Sequence, residues 1–275
     1  MKNYSKGIRT LLMTGIIVLL LFPVAVLFNT SLKTYSQITQ WPPTWFEKPL
    51  LWQNYMEVLF GDKSIARPFL NSIQISLASM VVCIAIGILA AYAVSRYEFA
   101  GRRTFLKIVI ITQMFTSVIL VNPMYVIFRN LGLLDTKISL IISSAASSLP
   151  MTIWLLYSYF SQIPKSYEEA SWIDGCNKIQ AIRYIILPLA FPGIITAGLF
   201  SFIMSWGDLV YAKAFILSPK LRTISLYLTD FRELYKTSWE TQMAACVIAV
   251  IPPFILFMII QKYLVRGMVS DGVKS

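Results

Sequence analysis

The sequence predicts an all-α, polytopic membrane protein of six transmembrane helices with both termini in the cytoplasm. Three observations carry that prediction. Of 275 residues, 57% are hydrophobic and 13% charged, where an average soluble domain has about a quarter charged. The apolar residues gather in runs long enough for a helix of about 20 residues to cross a bilayer. The polar stretches between those runs are short, and one of them, about 161–190, carries helix start and stop signals of its own.

The elements follow in order. Lys2, Lys6 and Arg9 precede an apolar run from about 11 to 28. It is long and no A-x-A-like site follows it, so it reads as an uncleaved first span. Three basic residues before it and only Lys33 close behind put the N-terminus in the cytoplasm. Residues 33–68 form an external segment with Trp41, Trp45, Trp52 and Tyr55. Such aromatics favour the membrane–water boundary; an interfacial lid or anchor and a substrate-stacking surface both fit. The second span, about 70–95, contains Ala78, Ser79, Ala85, Gly87, Ala90, Ala91 and Ala93. Small residues let backbones approach closely in lipid, which places this helix inside the bundle. Arg96, Arg102 and Arg103 form a basic turn after it.

The third span, about 105–128, contains Gln113, Thr116, Ser117 and Asn122-Pro123. An external turn of 130–137 leads to the fourth, about 138–160. Its Ser143, Ser144, Ser147, Ser148 stripe and Pro150 imply packing against protein or water. The fifth span, about 191–217, contains Ser201, Ser205, Trp206-Gly207-Asp208 and Lys213. The sixth, about 243–265, contains Pro252-Pro253, where a kink is expected. Lys262, Arg266 and Lys274 mark the end of the chain. Residues 1–68 are thus a first helix plus external segment, 69–265 a transmembrane core, and 266–275 a cytoplasmic tail.

Composition excludes several functions. A net charge of +11 suits nucleic acid, but the basic residues sit in short clusters between apolar spans, not on one folded face. There is no histidine, and Cys83, Cys176 and Cys246 are isolated, so neither a metal spacing nor a disulfide framework is present. No Gly-x-x-x-x-Gly-Lys-Ser/Thr loop occurs, so ATP phosphates are not held by that device. Glu168 and Glu169 adjoin on a helix, about 100° apart, and cannot act as paired acid and base. The chain reads as a non-enzyme that binds no metal or cofactor.

The stretch Ser166–Pro188, SYEEASWIDGCNKIQAIRYIILP, reads as helix, glycine turn and second helix between two spans. Ser166 and Glu169 have capping-box spacing. Gly175 supplies the left-handed residue that ends the first helix. Asn177 caps a second helix carrying Ile179, Ile182, Ile185 and Ile186. The first helix is expected to present Glu168, Ala170, Ser171 and Asp174 to solvent, with Tyr167, Trp172 and Ile173 as apolar anchors. A helix of that shape suits docking, though capping and simple connection would explain the same residues.

At fixed offsets, Glu169-Ala170-Ser171, Gly175, Ile185 and Leu187-Pro188 resemble the EAA motif of ABC-importer permease subunits. Ser171 stands where that family usually has a second alanine. Ser95–Arg102, Leu131–Thr136 and Leu187–Gly193 are similar to the carbohydrate branch, and within it to the second permease of maltose-type systems. The resemblance implies the type I ABC importer permease fold and a bacterial or archaeal cytoplasmic membrane. It implies a sister permease, two ATPase subunits holding ATP and Mg, and an extracytoplasmic sugar-binding protein. It also implies that Glu168, Glu169, Ala170, Ser171, Asp174, Gly175, Ile185, Leu187 and Pro188 form the ATPase-coupling loop.

Inside the spans, Asp208 stands out, because an ionisable group at membrane depth is costly. On a continuous helix Lys213 would lie about 140° around from it, a poor partner. Trp206-Gly207-Asp208 is similar to a Trp-Asn-Asp/Glu triplet of the family, departing at Gly207. Packing or gating, a place at the end of a span, and sugar contact remain open for it. Trp206, Asp208, Gln113, Asn122 and Ser201 are the candidate gate or pathway residues, although polar side chains bridging helices explain the last three equally well. The expected function is sugar or oligosaccharide import. Rival readings are the same machine carrying a polyamine, phosphate or glycerol-phosphate, or a stand-alone ion-coupled carrier or channel. The carrier would need an inverted repeat and further ionisable residues at mid-membrane, and the sequence shows no repeat. A non-transporting membrane scaffold would tolerate loss of the EAA spacing.

Overall fold

The computed structural model describes residues 2–45, 48–61, 64–233 and 239–271, with side chains over 9–45, 48–61, 64–231 and 239–262. The side chains of Lys2, Lys6 and Arg266, and Lys274 in the predicted tail, lie outside the described residues. Every regular element described is a helix, as expected. They are α1 (Lys2–Ser31), α2 (Tyr35–Thr39), α3 (Gln53–Phe60), α4 (Ala66–Arg96), α5 (Arg102–Thr112), α6 (Ser117–Asn130), α7 (Lys137–Gln162), α8 (Ser166–Ile173), α9 (Lys178–Ala181), α10 (Leu187–Leu189), α11 (Phe191–Trp206), α12 (Val210–Phe215), α13 (Ile224–Glu233) and α14 (Trp239–Asp271). A π-helical turn, Ile182–Ile186, joins α9 to α10. The chain forms two compact units, Met1–Ala66 with Tyr227–Ile251, and Arg67–Leu226 with Pro252–Ser275.

Four stretches are long and apolar enough to cross a membrane: Arg9–Ser31, Ala66–Arg96, Lys137–Gln162 and Trp239–Lys262. Two further pairs qualify only as bent spans, Arg102–Thr112 with Ser117–Asn130 at 99°, and Lys178–Leu189 with Phe191–Trp206 at 76°. The continuous third span expected over 105–128 is therefore broken. Thr116 takes extended backbone, φ −75° and ψ 153°, a conformation that Thr and Ser favour where helices begin.

The expected fifth span of 191–217 also stops early, at Trp206. Gly207 offers no Cβ to pack, and Asp208 Oδ1 accepts from the amides of Val210 at 3.1 Å and Tyr211 at 3.3 Å. A side chain that captures local amides competes with helix continuation. Asp208 and Lys213 thus do not share a helix. Pro192 sits in the first turn of α11, where a missing N–H is tolerated. By contrast α14 runs through Pro252 and Pro253 as one element.

In the first unit, Ser31 and Asn54 tie the end of α1 to α3. Asn54 Nδ2 donates to the carbonyls of Ser31 (2.9 Å) and Lys33 (3.3 Å), and the Ser31 and Tyr55 hydroxyls lie 2.6 Å apart. Trp45 and Trp52 pack on Phe22 and Phe28 of α1, ring centroids 6.0 and 6.4 Å away.

The second unit packs through small residues. A stripe of α4, Ser72, Ile75, Ser76, Ser79, Cys83 and Gly87, is buried, spaced for one helical face. A Cβ on Gly87 would stand 2.9 Å from Thr152 Cγ2 of α7, and one on Gly198 2.9 Å from Ile84 Cδ1 of α4. The predicted serine stripe of α7 is largely buried as well. Ser143 and Ser148 donate to carbonyls one turn back, at 2.6 and 2.8 Å, and Ser148 meets Ser201 at 3.0 Å. Cys83 Sγ lies 3.2 Å from Thr152 Oγ1.

The turn before α7 closes on Asp135, whose φ is +56°. Its amide donates to the Phe215 carbonyl at 2.9 Å. Its carboxylate accepts from the amides of Leu217 (3.0 Å) and Ser218 (2.9 Å) and from the Ser218 hydroxyl. These bonds, the Ser218 hydroxyl first, hold its carboxyl below the ordinary range.

Two outcomes are expected. A Cβ on Gly193 would meet Tyr159 Cγ at 2.4 Å, whereas Gly15 has open space around it. Gly193→Ala should destabilise the detergent-solubilised protein by about 1–3 kcal/mol, read as a lower unfolding temperature, while Gly15→Ala leaves it unchanged or raised. Since the Asp135 pKa is depressed, its latch is complete above the ordinary carboxylate value and fails as pH falls through its own lower value. Asp135→Ala should remove that acid dependence and speed hydrogen exchange at the Leu217 and Ser218 amides.

Candidate functional site

The loop between α7 and α11 is built from local signals. Lys165 already has helical backbone, φ −61° and ψ −27°, and caps α8 without a side-chain bond. The capping box expected from Ser166 and Glu169 is absent. Ser166 lies inside the helix, where its backbone cannot take the extended form that a cap needs. The amides of Glu168 and Glu169 both donate to the Lys165 carbonyl instead, at 2.9 and 3.1 Å.

The other end is closed as expected. Gly175 has φ +88°; its amide donates to the Trp172 carbonyl at 3.1 Å, and the Cys176 amide to the Ser171 carbonyl at 2.9 Å. That pair of bonds is a Schellman closure. Asn177 then forms a reciprocal box with Gln180, Oδ1 accepting from the Gln180 amide at 2.9 Å and Gln180 Oε1 from the Asn177 amide at 2.8 Å. Beyond it, the ring of Pro188 would clash with the Tyr184 carbonyl in an ordinary α-helix. The chain widens there to π register, with the Leu187 amide donating to the Ile182 carbonyl. Ile186 and Leu187 join a cluster with Ala91, Tyr92, Leu156 and Phe160 at the ends of α4 and α7. Ile185 is half-buried and Pro188 exposed.

The faces of α8 differ from expectation. Glu168 and Ser171 point inward, 4% and 3% exposed. Glu169, Ala170 and Asp174 face out, together with Tyr167, Trp172 and Ile173, the last 87% exposed. The expected apolar anchors are thus the outer surface, and two of the expected solvent-facing residues are the anchors. The reason is electrostatic. Arg96 at the end of α4 forms a buried ion pair with Glu168, and Tyr92 donates to Glu168 Oε2 at 3.1 Å. Ser171 is buried because its hydroxyl is satisfied by the Glu168 carbonyl, 2.7 Å away.

The candidate pathway residues do not converge. Ser201 is fully buried between α7 and α11, and Trp206 is stacked on Phe202 and set edge-on to Phe69. Asp208 shapes the turn before α12. Gln113 and Asn122 are exposed, one in the α5–α6 break and one on α6. Tyr92 and Arg96 escaped sequence reading, which took Arg96 only as a basic residue at a span end. An Arg ending a span, 72 residues before a motif glutamate, carries no pairing signal in one sequence.

Residues 83–270 match the family described as binding-protein-dependent transport system inner membrane component. The chain belongs to that family. The permease is 34% identical over 271 residues to the sulfoquinovosyl glycerol transport system permease protein of Agrobacterium fabrum, covering 98% of this chain and 95% of that one. It is 34% identical over 241 residues to the trehalose/maltose transport system permease protein of Thermococcus litoralis, covering 85% and 86%. Its fold matches a bacterial ABC transporter involved in the import of the acidic polysaccharide alginate, with TM-score 0.80 and 26% identity over 95% of this chain and 97% of that one. It is accordingly an ABC importer permease and a multi-pass membrane transport subunit.

Gly175 gives the permease a direct test, since no atom crowds it and only its left-handed backbone is demanding. Gly175→Asn should be tolerated, because Asn enters that conformation at modest cost. Gly175→Val should destabilise the turn by about 1–2 kcal/mol, read as faster proteolysis between α8 and α9.

Proposed function

We propose that this permease imports a sugar or oligosaccharide as one half of a heterodimer with a sister permease. Two ATPase subunits carrying ATP and Mg drive it, and an extracytoplasmic sugar-binding protein delivers the cargo. The observation that carries the substrate class is the agreement among its relatives. Sulfoquinovosyl glycerol, trehalose or maltose, and alginate are all glycans or glycosides, and those matches extend over most of this chain.

If each bent pair is one span, there are six crossings, and basic residues before the first put both termini in the cytoplasm of a bacterial or archaeal cell. That topology brings α8–α10 to the same side as the ATPases. The outer face of α8 offers Tyr167, Trp172 and Ile173 as apolar contacts, with Glu169 and Asp174 as charged ones, around small Ala170. Aromatic anchors ringed by polar groups are what a partner groove holds most strongly. Glu169, Ala170, Asp174 and Gly175 are therefore the docking set, with Ile185, Leu187 and Pro188 shaping the return to α11. Glu168 and Ser171 serve from inside.

The α5–α6 break points to the pathway. Irregular backbone at membrane depth needs protein or water against it, not lipid. Gln113 and Asn122 therefore face the sister permease or the translocation path, while Ser201 and Trp206 hold helices together and Asp208 sets the turn after α11.

The test is purification of tagged permease from native membranes in mild detergent. We expect a sister permease, an ATPase and a binding protein to accompany it, the last with a bound glycan. In proteoliposomes the loaded binding protein should stimulate ATP hydrolysis several-fold. A polyamine or phosphate in the binding protein would remove the sugar assignment, and absence of any ATPase would remove the importer assignment.

A further inference from the structure

We infer that Tyr92, Arg96 and Glu168 form a buried linkage that passes the movement of α8 to α4 and α7. The two adjacent glutamates thereby divide the work, Glu169 turned outward to the ATPase and Glu168 inward to the spans. The inference rests on the ATPase-docking reading of α8 and assigns positioning roles to three residues of this chain.

The connectivity makes the case. Three residues, Ile163–Lys165, join α7 to α8, so α7 follows α8 covalently. No such tie exists for α4, which is distant in sequence; Tyr92 and Glu168 are 76 residues apart. What joins them is the guanidinium of Arg96, the last residue of α4. Its Nε meets Glu168 Oε1 in the first turn of α8. Its Nη1 donates to the carbonyl of Ile163, the residue that ends α7, at 2.9 Å. One rigid planar group thus holds the ends of three helices, a task the single point charge of lysine would not perform.

Tyr92, one turn earlier on α4, adds a second bond to the same carboxylate at 3.1 Å. Its ring packs edge-on against Phe160 of α7 and against Tyr97, with centroids 6.3 and 6.2 Å away. The side chains of Arg96 and Glu168 are each 5% exposed, so salt screens their attraction little. Removing either partner would strand a buried charge, which is strongly unfavourable. A bond with that penalty stays closed while the elements it joins move together. A surface ion pair, worth little and readily exchanged with water, would slip.

The experiment uses the whole importer in proteoliposomes with its ATPase, sister permease and glycan-loaded binding protein. Two quantities are read: ATPase retained on the purified permease, and glycan taken up per ATP hydrolysed. In Glu168→Gln the ATPase should stay bound while uptake per ATP falls about tenfold, within the range of ordinary couplings between sites. Tyr92→Phe keeps both charges and the ring packing, and should lower the ratio by a smaller factor. Glu169→Gln should instead reduce ATPase retention.

Because single changes at a buried pair can prevent folding, Arg96→Met with Glu168→Met is made together. Apolar replacement of both partners commonly preserves the fold, and the ratio should still fall. A merely structural role would lower membrane abundance and leave uptake per ATP as in wild type. An unchanged ratio in Tyr92→Phe and in the double variant overturns the inference. So does loss of ATPase from Glu168→Gln to the extent seen in Glu169→Gln, which would make Glu168 a docking residue. If wild type itself retains no ATPase, the docking reading fails first and is identified as the failure.

Discussion

The structure depends first on the absence of water in the bilayer core, which obliges each backbone amide and carbonyl there to find a partner within the protein. Helices meet that obligation over α1, α4, α7 and α14. The instructive places are those where helices stop. At Gly207–Leu209 the Asp208 carboxylate takes two amides that would otherwise lack acceptors. At Ile182–Ile186 the chain meets a proline by widening its register and keeps its bonds. At Gln113–Thr116 turn-type bonds remain, with the Gln113 amide donating to the Ile110 carbonyl at 3.1 Å and the Met114 amide to that of Ile111 at 3.0 Å. Each break is thus a local solution to one requirement, and each redirects the chain where a continuous helix could not go.

The same scarcity of water decides how the helices adhere. Lipid is as apolar as leucine, so burying leucine drives little association there. Close backbone approach and paired polar side chains do the work, which is why Gly87, Gly193 and Gly198 sit at contacts and why Ser148, Ser201, Cys83 and Thr152 meet in the interior. It is also why a charge can be buried at the end of α4. A lone guanidinium would be too costly, but one paired with a carboxylate and donating to a carbonyl is retained.

Much of this was legible in the sequence. Residue size and periodicity identify the apolar helices, the interior position of α4 and the small-residue contacts, because these depend on local chemistry. Gly175 and Asn177 were readable for the same reason: turn and cap residues act on amides three or four positions away. What failed was non-local. Helical spacing tells which residues share a face, yet not which face turns inward, and on α8 that choice was made by Arg96, far away in sequence. The Ser166–Glu169 spacing is a sound signal overridden by helical backbone at Lys165 one residue earlier. The breaks in the third and fifth predicted spans were hidden because hydropathy averages over windows longer than the four and three residues that interrupt them.

That pattern of failure says something about α8 itself. Burial of apolar area alone would favour turning Ile173 inward and Glu168 outward. The observed helix forgoes that burial. It keeps three large apolar side chains exposed and places a charge inside, which stabilises the fold only because Arg96 and Tyr92 are there to receive it. A surface that exposes such groups is consistent with a partner that covers them, and a buried charge at its back is consistent with a helix whose position is tied to the spans behind it. The two departures are linked but not interchangeable: at about 100° per residue Tyr167, Trp172 and Ile173 spread around the helix, and a half turn that brought Glu168 out would take Ile173 in together with Glu169.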